Sequence, residues 1–360
     1  MQPRNVVVVK VSQYNVKPQG VKMLKKLLTA GALLLASMTY SHAADPFKVG
    51  FVYVGPVGDH GWTYMHDIGR QAIEKEFGDK VETVYVESVK YGPDAERVLN
   101  TMVSEGVDMI FTTSFGYMEQ TLKVAKENPN VLFEHATGYK TAPNMSAYSS
   151  RFYEGRYVQG VIAGTMSKTG KAGYIASFPI PEVIRGINAF YLGAKSVNPN
   201  FDVDIVWVNT WYDPPKEADA AKVLMAGGAD IITQHTDSPA PLAAAAEKGI
   251  KGFGQASDMI KFAPNTQLTS ILYLWGPYYV ARVGAAMDGT WKEKNTWGGM
   301  DTGMVAMAPM TNMPADLASH AEHIAHHIKE GKFKPFGDLD DGALATMMDY
   351  VEGIDATVPK

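Results

Sequence analysis

Lys48-Val49-Gly50-Phe51-Val52-Tyr53 and Lys171-Ala172-Gly173-Tyr174-Ile175-Ala176 are one short motif written twice, about 122 residues apart. At nearly the same offset, Gly106-Val107-Asp108-Met109-Ile110-Phe111-Thr112-Thr113 recurs as Gly228-Ala229-Asp230-Ile231-Ile232-Thr233-Gln234-His235. Phe133-Glu134-His135-Ala136-Thr137 recurs as Phe253-Gly254-Gln255-Ala256-Ser257. From the first glycine to the second the spacing is 56 residues in one copy and 55 in the other. Three pairs in the same order predict two structurally equivalent halves.

Within each half, short apolar or β-branched runs alternate with longer amphipathic stretches. The first half has runs at 48–54, 81–86, 107–113 and 130–136, and the second at 172–178, 203–209, 229–235 and 250–256. Between the first-half runs, Met65 to Phe77 and Ala95 to Glu105 carry apolar residues at helical spacing, and Gly78, Gly92-Pro93, Gly106 and Pro129 punctuate the joins. Strands alternating with helices imply βαβ units and parallel sheets covered on both faces. The expected architecture is α/β, with two doubly wound, Rossmann-like lobes side by side. We expect the chain to cross to the second lobe near Ser149–Arg151, opening there with a helix over Gly155–Met166. It returns to the first lobe with a strand at Leu268–Tyr273 and a helix at Pro277–Met287, and crosses a last time near Gly298–Met304. The first lobe then comprises 47–149 and 271–303, the second 150–270 and 304–350, with a hinge of three crossings between them.

The 360 residues suit two domains. With Lys+Arg 33 against Asp+Glu 38, the formal charge is −5, and no basic block stands outside the first 44 residues, which argues against nucleic-acid binding. The absence of cysteine removes disulfides, thiolate metal sites and cysteine nucleophiles together. Residues 1–44 contain Arg4, Lys10, Lys17, Lys22, Lys25 and Lys26 and no acidic residue. From Met23 they read as a secretory signal, with Lys25-Lys26, an apolar run from Leu27 to Met38, and Ser41-His42-Ala43 before cleavage at Ala44. The run falls short of the ~20 residues of a membrane span. Residues 1–22 precede this signal (23–43) as a leader or an over-called start. No cysteine follows to carry a lipid anchor, so the expected product is exported, soluble and periplasmic.

In open parallel sheets, ligands bind beyond the carboxyl ends of the strands, which selects the candidate cleft residues. Asp59, His60, Gly61 and Trp62 follow the first strand. Ser114, Phe115, Gly116 and Tyr117 follow the third, and His135, Thr137 and Tyr139 the fourth. The second lobe contributes Phe178 and Glu182, then Asn209, Thr210, Trp211 and Tyr212. His235, Thr236 and Asp237 come next, then Ser257 and Asp258, and the return strand adds Tyr273 and Trp275. Trp62, Trp211 and Trp275 all sit at loop mouths. Indoles from opposite lobes can sandwich a flat ring, each face contact contributing roughly 1–3 kcal/mol, or they can simply cap the sheet edges. Asp237 and Asp258 offer acceptors to ring N–H, amino or hydroxyl donors, and Thr137, Ser257 and Asn209 complete a polar rim.

Other motifs carry less. Gly164-Thr165-Met166-Ser167-Lys168-Thr169-Gly170-Lys171 superficially matches a phosphate loop, but it has one residue too many and precedes a strand instead of following one; it reads as a helix end. His320, His323, His326 and His327 share a helical stretch whose flanking charges look solvated, so no metal is assigned. The Met-rich tract from Met300 to Met313 is irregular and interrupted by Pro309, and reads as core or hinge filling. No Gly-x-Ser-x-Gly, Walker or His-Glu-x-x-His pattern is present. Asp237 and Asp258 would serve an acid/base pair and hydrogen-bonding to a bound ligand equally well, and the exported, hinged, two-lobed design favours binding.

The chain resembles the basic membrane protein family of substrate-binding proteins for ABC importers, over about 47–350. The resemblance rests on Gly155-Arg156-Tyr157-Val158-Gln159-Gly160 through Gly164, Lys168-Thr169-Gly170-Lys171-Ala172-Gly173-Tyr174-Ile175, Trp211-Tyr212-Asp213-Pro214-Pro215-Lys216, Gly228-Ala229-Asp230-Ile231-Ile232 and Ser257-Asp258. It implies a type I periplasmic-binding fold that captures purine nucleosides or related compounds without a cofactor. It also implies partnership with ABC permease and ATPase subunits in the membrane; we expect the chain itself to be a monomer. It places Trp62 and Trp211 in the stacking positions and Asp258 in the ribose-binding position, with Asp59, Phe115, Asp237, Thr137, Tyr273 and Trp275 completing the expected ligand site. The sequence departs from the family where Thr137 replaces a base-binding aspartate and Tyr273 a lysine, while Trp275 is bulkier than expected. These departures point away from a ribose and toward a free base such as adenine. The alternatives are a sugar- or signalling-molecule-binding protein of the same fold, and an exported purine-nucleoside hydrolase.

Overall fold

Each copy of the repeated Lys-x-Gly motif becomes an inner strand of its own sheet, because its small and apolar residues can be covered from both faces. The computed structural model describes residues 45–359; the leader and signal segments lie outside them. In the first lobe β1 (Phe47–Val52), α1 (Gly61–Phe77), β2 (Val81–Val86), α2 (Pro93–Ser104), β3 (Met109–Thr112), α3 (Met118–Glu127), β4 (Leu132–Ala136) and β5 (Met145–Ser150) follow in turn. The second lobe opens with α4 (Phe152–Met166), β6 (Lys171–Ala176), α5 (Pro181–Val197), β7 (Asp202–Trp207) and α6 (Pro214–Ala226). It continues with β8 (Ile231–Gln234), α7 (Ala240–Glu247), β9 (Lys251–Gly254) and β10 (Gln267–Tyr273). The chain closes with α8 (Gly276–Met287), β11 (Asn295–Gly298), β12 (Val305–Met307), α9 (Ala315–Lys329) and α10 (Asp341–Ala345). Among the described residues no helix is long and apolar enough to cross a membrane.

The strand orders are β11-β5-β4-β3-β1-β2 and β12-β10-β9-β8-β6-β7, so the repeat in sequence is a repeat in topology. Register agrees as well: Gly50 lies between Val84 and Ile110, and Gly173 between Asp204 and Ile232. One expectation needs correction. The strand 267–273 does not return to the first lobe; it pairs with β9 and, through Ile271–Tyr273, antiparallel with β12. The chain therefore leaves the second sheet after Tyr273, not at 270–271. The cause lies in β5, the counterpart of β10. Its Met-Ser-Ala-Tyr-Ser-Ser sequence has no β-branched residue and is half serine, too polar to stand out as an apolar run, and with β5 invisible to the pattern its repeat finds no place in the second sheet.

Repeated motifs also acquire repeated jobs. Asp108 accepts from the backbone N–H of Lys48 (2.7 Å), while Asp230 accepts from Lys168 N–H (2.7 Å) and Thr169 N–H (3.1 Å). The segment that mimics a phosphate loop thus holds the chain's own carboxylate. α4 is buried on nearly every side, as a helix packed between other elements must be. A Cβ on Gly160 would collide with the Phe190 carbonyl of α5, and one on Gly193 with that of Tyr157, so the glycines permit backbone contact between the two helices. In the first lobe Phe51 and Phe111 stack with ring centroids 4.9 Å apart. His323 and His327 lie 4.0 Å apart between ring centroids on α9; among the described residues no group of three or more His, Asp or Glu is placed to hold a metal.

The three crossings are stitched to one another. Arg151 N–H donates to Gly298 O (2.6 Å), Leu274 N–H to Met304 O (3.0 Å), and Met300 N–H to the carboxyl of Glu154 (2.6 Å).

Candidate functional site

Segments following the strands of both sheets line one pocket of about 330 Å³, including its mouth. Val54, Trp62, Ser114, Phe115 and Thr137 come from the first lobe. Glu182, Trp211, His235, Asp237 and Gln255 come from the second. Trp62 stands in the first turn of α1, where its indole N–H donates to Thr113 O (2.6 Å). Trp211 precedes α6. Asp213 caps that helix by accepting from Lys216 N–H (3.2 Å), Pro214 takes its first position, and Glu217 accepts in return from Asp213 N–H (2.7 Å). The second oxygen of Glu217 holds Ser238 through its N–H (3.1 Å) and hydroxyl (2.6 Å), and Asp237 N–H donates to Trp211 O (2.9 Å). The Trp-Tyr-Asp-Pro-Pro-Lys motif is thereby tied to the loop after β8. Trp211 rests against Phe178 (5.1 Å) and His235 (6.1 Å). The Trp62 indole N–H is engaged by protein, so its ring is what that tryptophan offers a ligand.

The lobes meet around the amino terminus of α1. Gly61 N–H donates to Ser257 Oγ (2.8 Å). Gly61 has φ +78°, and a Cβ there would lie 2.5 Å from the Asp237 carbonyl oxygen, so only glycine permits this approach. Burial, with Glu217 and Glu182 nearby, pushes the Asp237 carboxyl well above the usual range. Beyond this contact Lys261 ion-pairs with Asp59, and His60 meets Phe262 edge-on (5.1 Å). On the opposite flank the pocket shares Phe115, Thr137 and Glu182 with a wide cavity that also reaches Tyr139, Arg185, Trp297 and Met348. The cleft is sealed on one side and open on the other.

The nine residues singled out from sequence divide. Trp62, Trp211, Asp237, Thr137 and Phe115 line the pocket; Asp59, Asp258, Tyr273 and Trp275 stand outside it. Asp59 is exposed and engaged with Lys261 and His60, which hold its carboxyl down at about 2. Asp258 faces away, accepting from Gln267 Nε2 (2.8 Å) and Ile260 N–H (3.0 Å). Tyr273 is buried one layer behind, its hydroxyl accepting from Gln255 Nε2 (2.8 Å), and Trp275 is buried with its ring stacked on His66 (4.7 Å). Trp62 packs edge-on against both (5.7 and 5.6 Å), so these aromatics form the back wall. Thr137 has φ +62°, a conformation that is strained for a β-branched residue.

Val54 and Gln255 line the pocket without having been singled out. The signal for Gln255 was the repeat, which sets it opposite His135, and the buried Arg156 that reaches it. That guanidinium also donates to Gln234 O (2.7 Å) and Thr233 Oγ1 (3.2 Å), fixing the ends of β8 and β9. Glu182 and His235, in the expected cleft loops, form a pair: His235 Nε2 lies 3.2 Å from the Glu182 carboxylate. Burial lowers the pKa of His235, which favours its neutral ring.

Comparison with known proteins agrees with this construction. A purine-binding protein of Brucella abortus is 56% identical over 336 residues, covering 89% of this chain and 96% of its own. A protein of Haloferax volcanii named as an ABC transporter glucose-binding protein is 37% identical over 322 residues, covering 88% and 82%. Among solved structures, an ABC transporter solute-binding protein of Aeropyrum pernix superposes with a TM-score of 0.70 at 20% identity, covering 83% of this chain and 95% of its own. The fold is thus that of the type I periplasmic-binding proteins. The sequence pattern of the PnrA-like ABC transporter substrate-binding proteins matches residues 47–332, and the chain belongs to that extracytoplasmic family.

Proposed function

We propose that this substrate-binding protein captures a free purine base, adenine foremost, between Trp62 and Trp211 and closes its lobes over it. The observation that carries the reading is the placement of two indoles from opposite lobes in one pocket. Tyr273, Trp275 and Phe152, all buried, occupy the space behind Trp62, and Asp258 faces away, so the aspartate expected to hold a ribose does not line the pocket. The purine-binding relative supports the same ligand class. A ligand touching both lobes favours the closed form by its differential affinity, and closure presents both lobe tips to a membrane permease. In this reading the chain is a periplasmic monomer, exported through a cleaved signal, and it binds without catalysis.

The name of the Haloferax relative keeps one competing class in view, a hexose. Calorimetric titration of protein unfolded and refolded to strip carried-over ligand, with adenine, hypoxanthine, adenosine, guanosine, ribose and glucose, separates the readings. Adenine tightest at one-to-one stoichiometry is the expected result. Nucleosides tighter than bases would show that a sugar fits after all, glucose alone would replace the ligand class, and release of base from adenosine would reveal a hydrolase.

A further inference from the structure

Glu182 is the second residue of α5, after Pro181, and borders both the pocket and the open flank. Its side chain is about 10% exposed, low for a carboxylate. Among the described residues, the one side-chain group paired with it is His235, at 3.2 Å. Arg185, one turn along the same helix, donates instead to Leu344 O (2.5 Å), contributing charge without a bond. The first turn of α5 favours a negative group, and His235 Nε2 is the side-chain nitrogen that approaches it. His235 Nδ1 is buried and has no partner among the described residues. A carboxylate so enclosed, with one side-chain partner and unused acceptor capacity, is incomplete as a purely structural group.

We propose that Glu182, oriented by His235, reads the donor edge of the bound ring by accepting an amino or ring N–H from it. The assignment rests on the purine reading and goes beyond it: the tryptophans hold any flat ring, whereas Glu182 selects among rings by the N–H groups they present. A site built to pair an N–H discriminates strongly against an analogue lacking it, since the carboxylate is then left buried and unpaired.

The test is a ligand-by-variant comparison by calorimetry. Adenine, 6-methylpurine (a methyl in place of the amino group) and 9-methyladenine (N9–H blocked) are titrated into the wild type and Glu182→Gln. We expect Glu182→Gln to bind adenine about 10- to 100-fold more weakly, the range of a charge-assisted hydrogen bond. One of the two analogues should lose at least tenfold against adenine in the wild type and less than about threefold in the variant. Equal penalties in both proteins would overturn the assignment while leaving purine binding intact, because a merely structural Glu182 shifts all three ligands alike. Should the variant fail to fold, the wild type still decides, since affinities within threefold for all three ligands mean that no donor edge is read. A wild type that binds none of the three removes the ligand class and this assignment with it.

Discussion

Gly61→Ala should weaken ligand binding far more than it weakens the fold. With φ at +78°, any L-residue at this position costs about 1–2 kcal/mol, and that part is paid whether the lobes are open or closed. The new methyl would also sit 2.5 Å from the Asp237 carbonyl oxygen of the other lobe, closer than a Cβ can approach, and only the closed form suffers this. Parting the lobes there stretches the hydrogen bond from Gly61 N–H to Ser257 Oγ, which contributes about 0.5–1.5 kcal/mol, and keeping them together costs about 1–3 kcal/mol of overpacking. The closed form is then disfavoured by about 1–3 kcal/mol relative to the open one, a loss of roughly 5- to 150-fold in affinity. Titration with the best-bound purine measures that loss, and small-angle scattering with saturating ligand reports the shift toward open lobes. A variant that melts a few degrees lower but binds as tightly as the wild type would refute the reasoning, because the α1–Asp237 approach would then have no part in closure.

Three further outcomes follow from the packing. Glu154, about 8% exposed, has its pKa pushed up to about 7 by burial against the opposing effects of Met300 N–H and Arg151, with Asp301 and Asp341 raising it further. The folded chain therefore binds this proton more tightly than the unfolded one, so its contribution to stability falls as pH rises from about 4.5 to 7, by up to about 3 kcal/mol; in thermal melts at pH 5 and 7.5, Glu154→Gln should flatten the difference seen in the wild type, and an unchanged slope would contradict it. Thr137→Gly relieves a β-branched residue at φ +62° and should leave stability unchanged or raise it by about 1 kcal/mol, whereas a clear drop in denaturant midpoint would show that the Thr137 side chain does more than endure strain. Gly160→Ala drives a methyl into the Phe190 carbonyl and should destabilise by about 1–3 kcal/mol in urea unfolding, against no change if α4 and α5 can slide apart freely.

Much of the architecture was legible because parallel strands buried on both faces leave apolar runs that sequence shows directly, and because the runs occur twice. β3 and β8 lie within the expected strands, and β1 and β6 begin one residue before theirs. The repeat also carried information that strand patterning lost: β5 lacks β-branched residues, and placing its counterpart required knowing that β5 exists. Within the site, the position of a loop was legible and the direction of a side chain was not. Trp62 and Asp59 follow the same strand three residues apart, yet one faces the pocket and the other solvent, because α1 begins at Gly61 and turns the chain between them. Asp258 and Asp237 occupy similar loops, and the difference is made by Gln267 and Ile260, which hold Asp258 outward. Gln255 carried no signal of its own, since its orientation is set by Arg156 from a helix about 100 residues earlier.

The central claim is a ring stacked between Trp62 and Trp211, and the most direct test is calorimetric titration of adenine into the refolded wild type, Trp62→Ala and Trp211→Ala. We predict one-to-one binding by the wild type and a loss of about 5- to 150-fold in each variant, corresponding to about 1–3 kcal/mol for each face contact. Adenine binding that survives both substitutions unchanged would contradict the account.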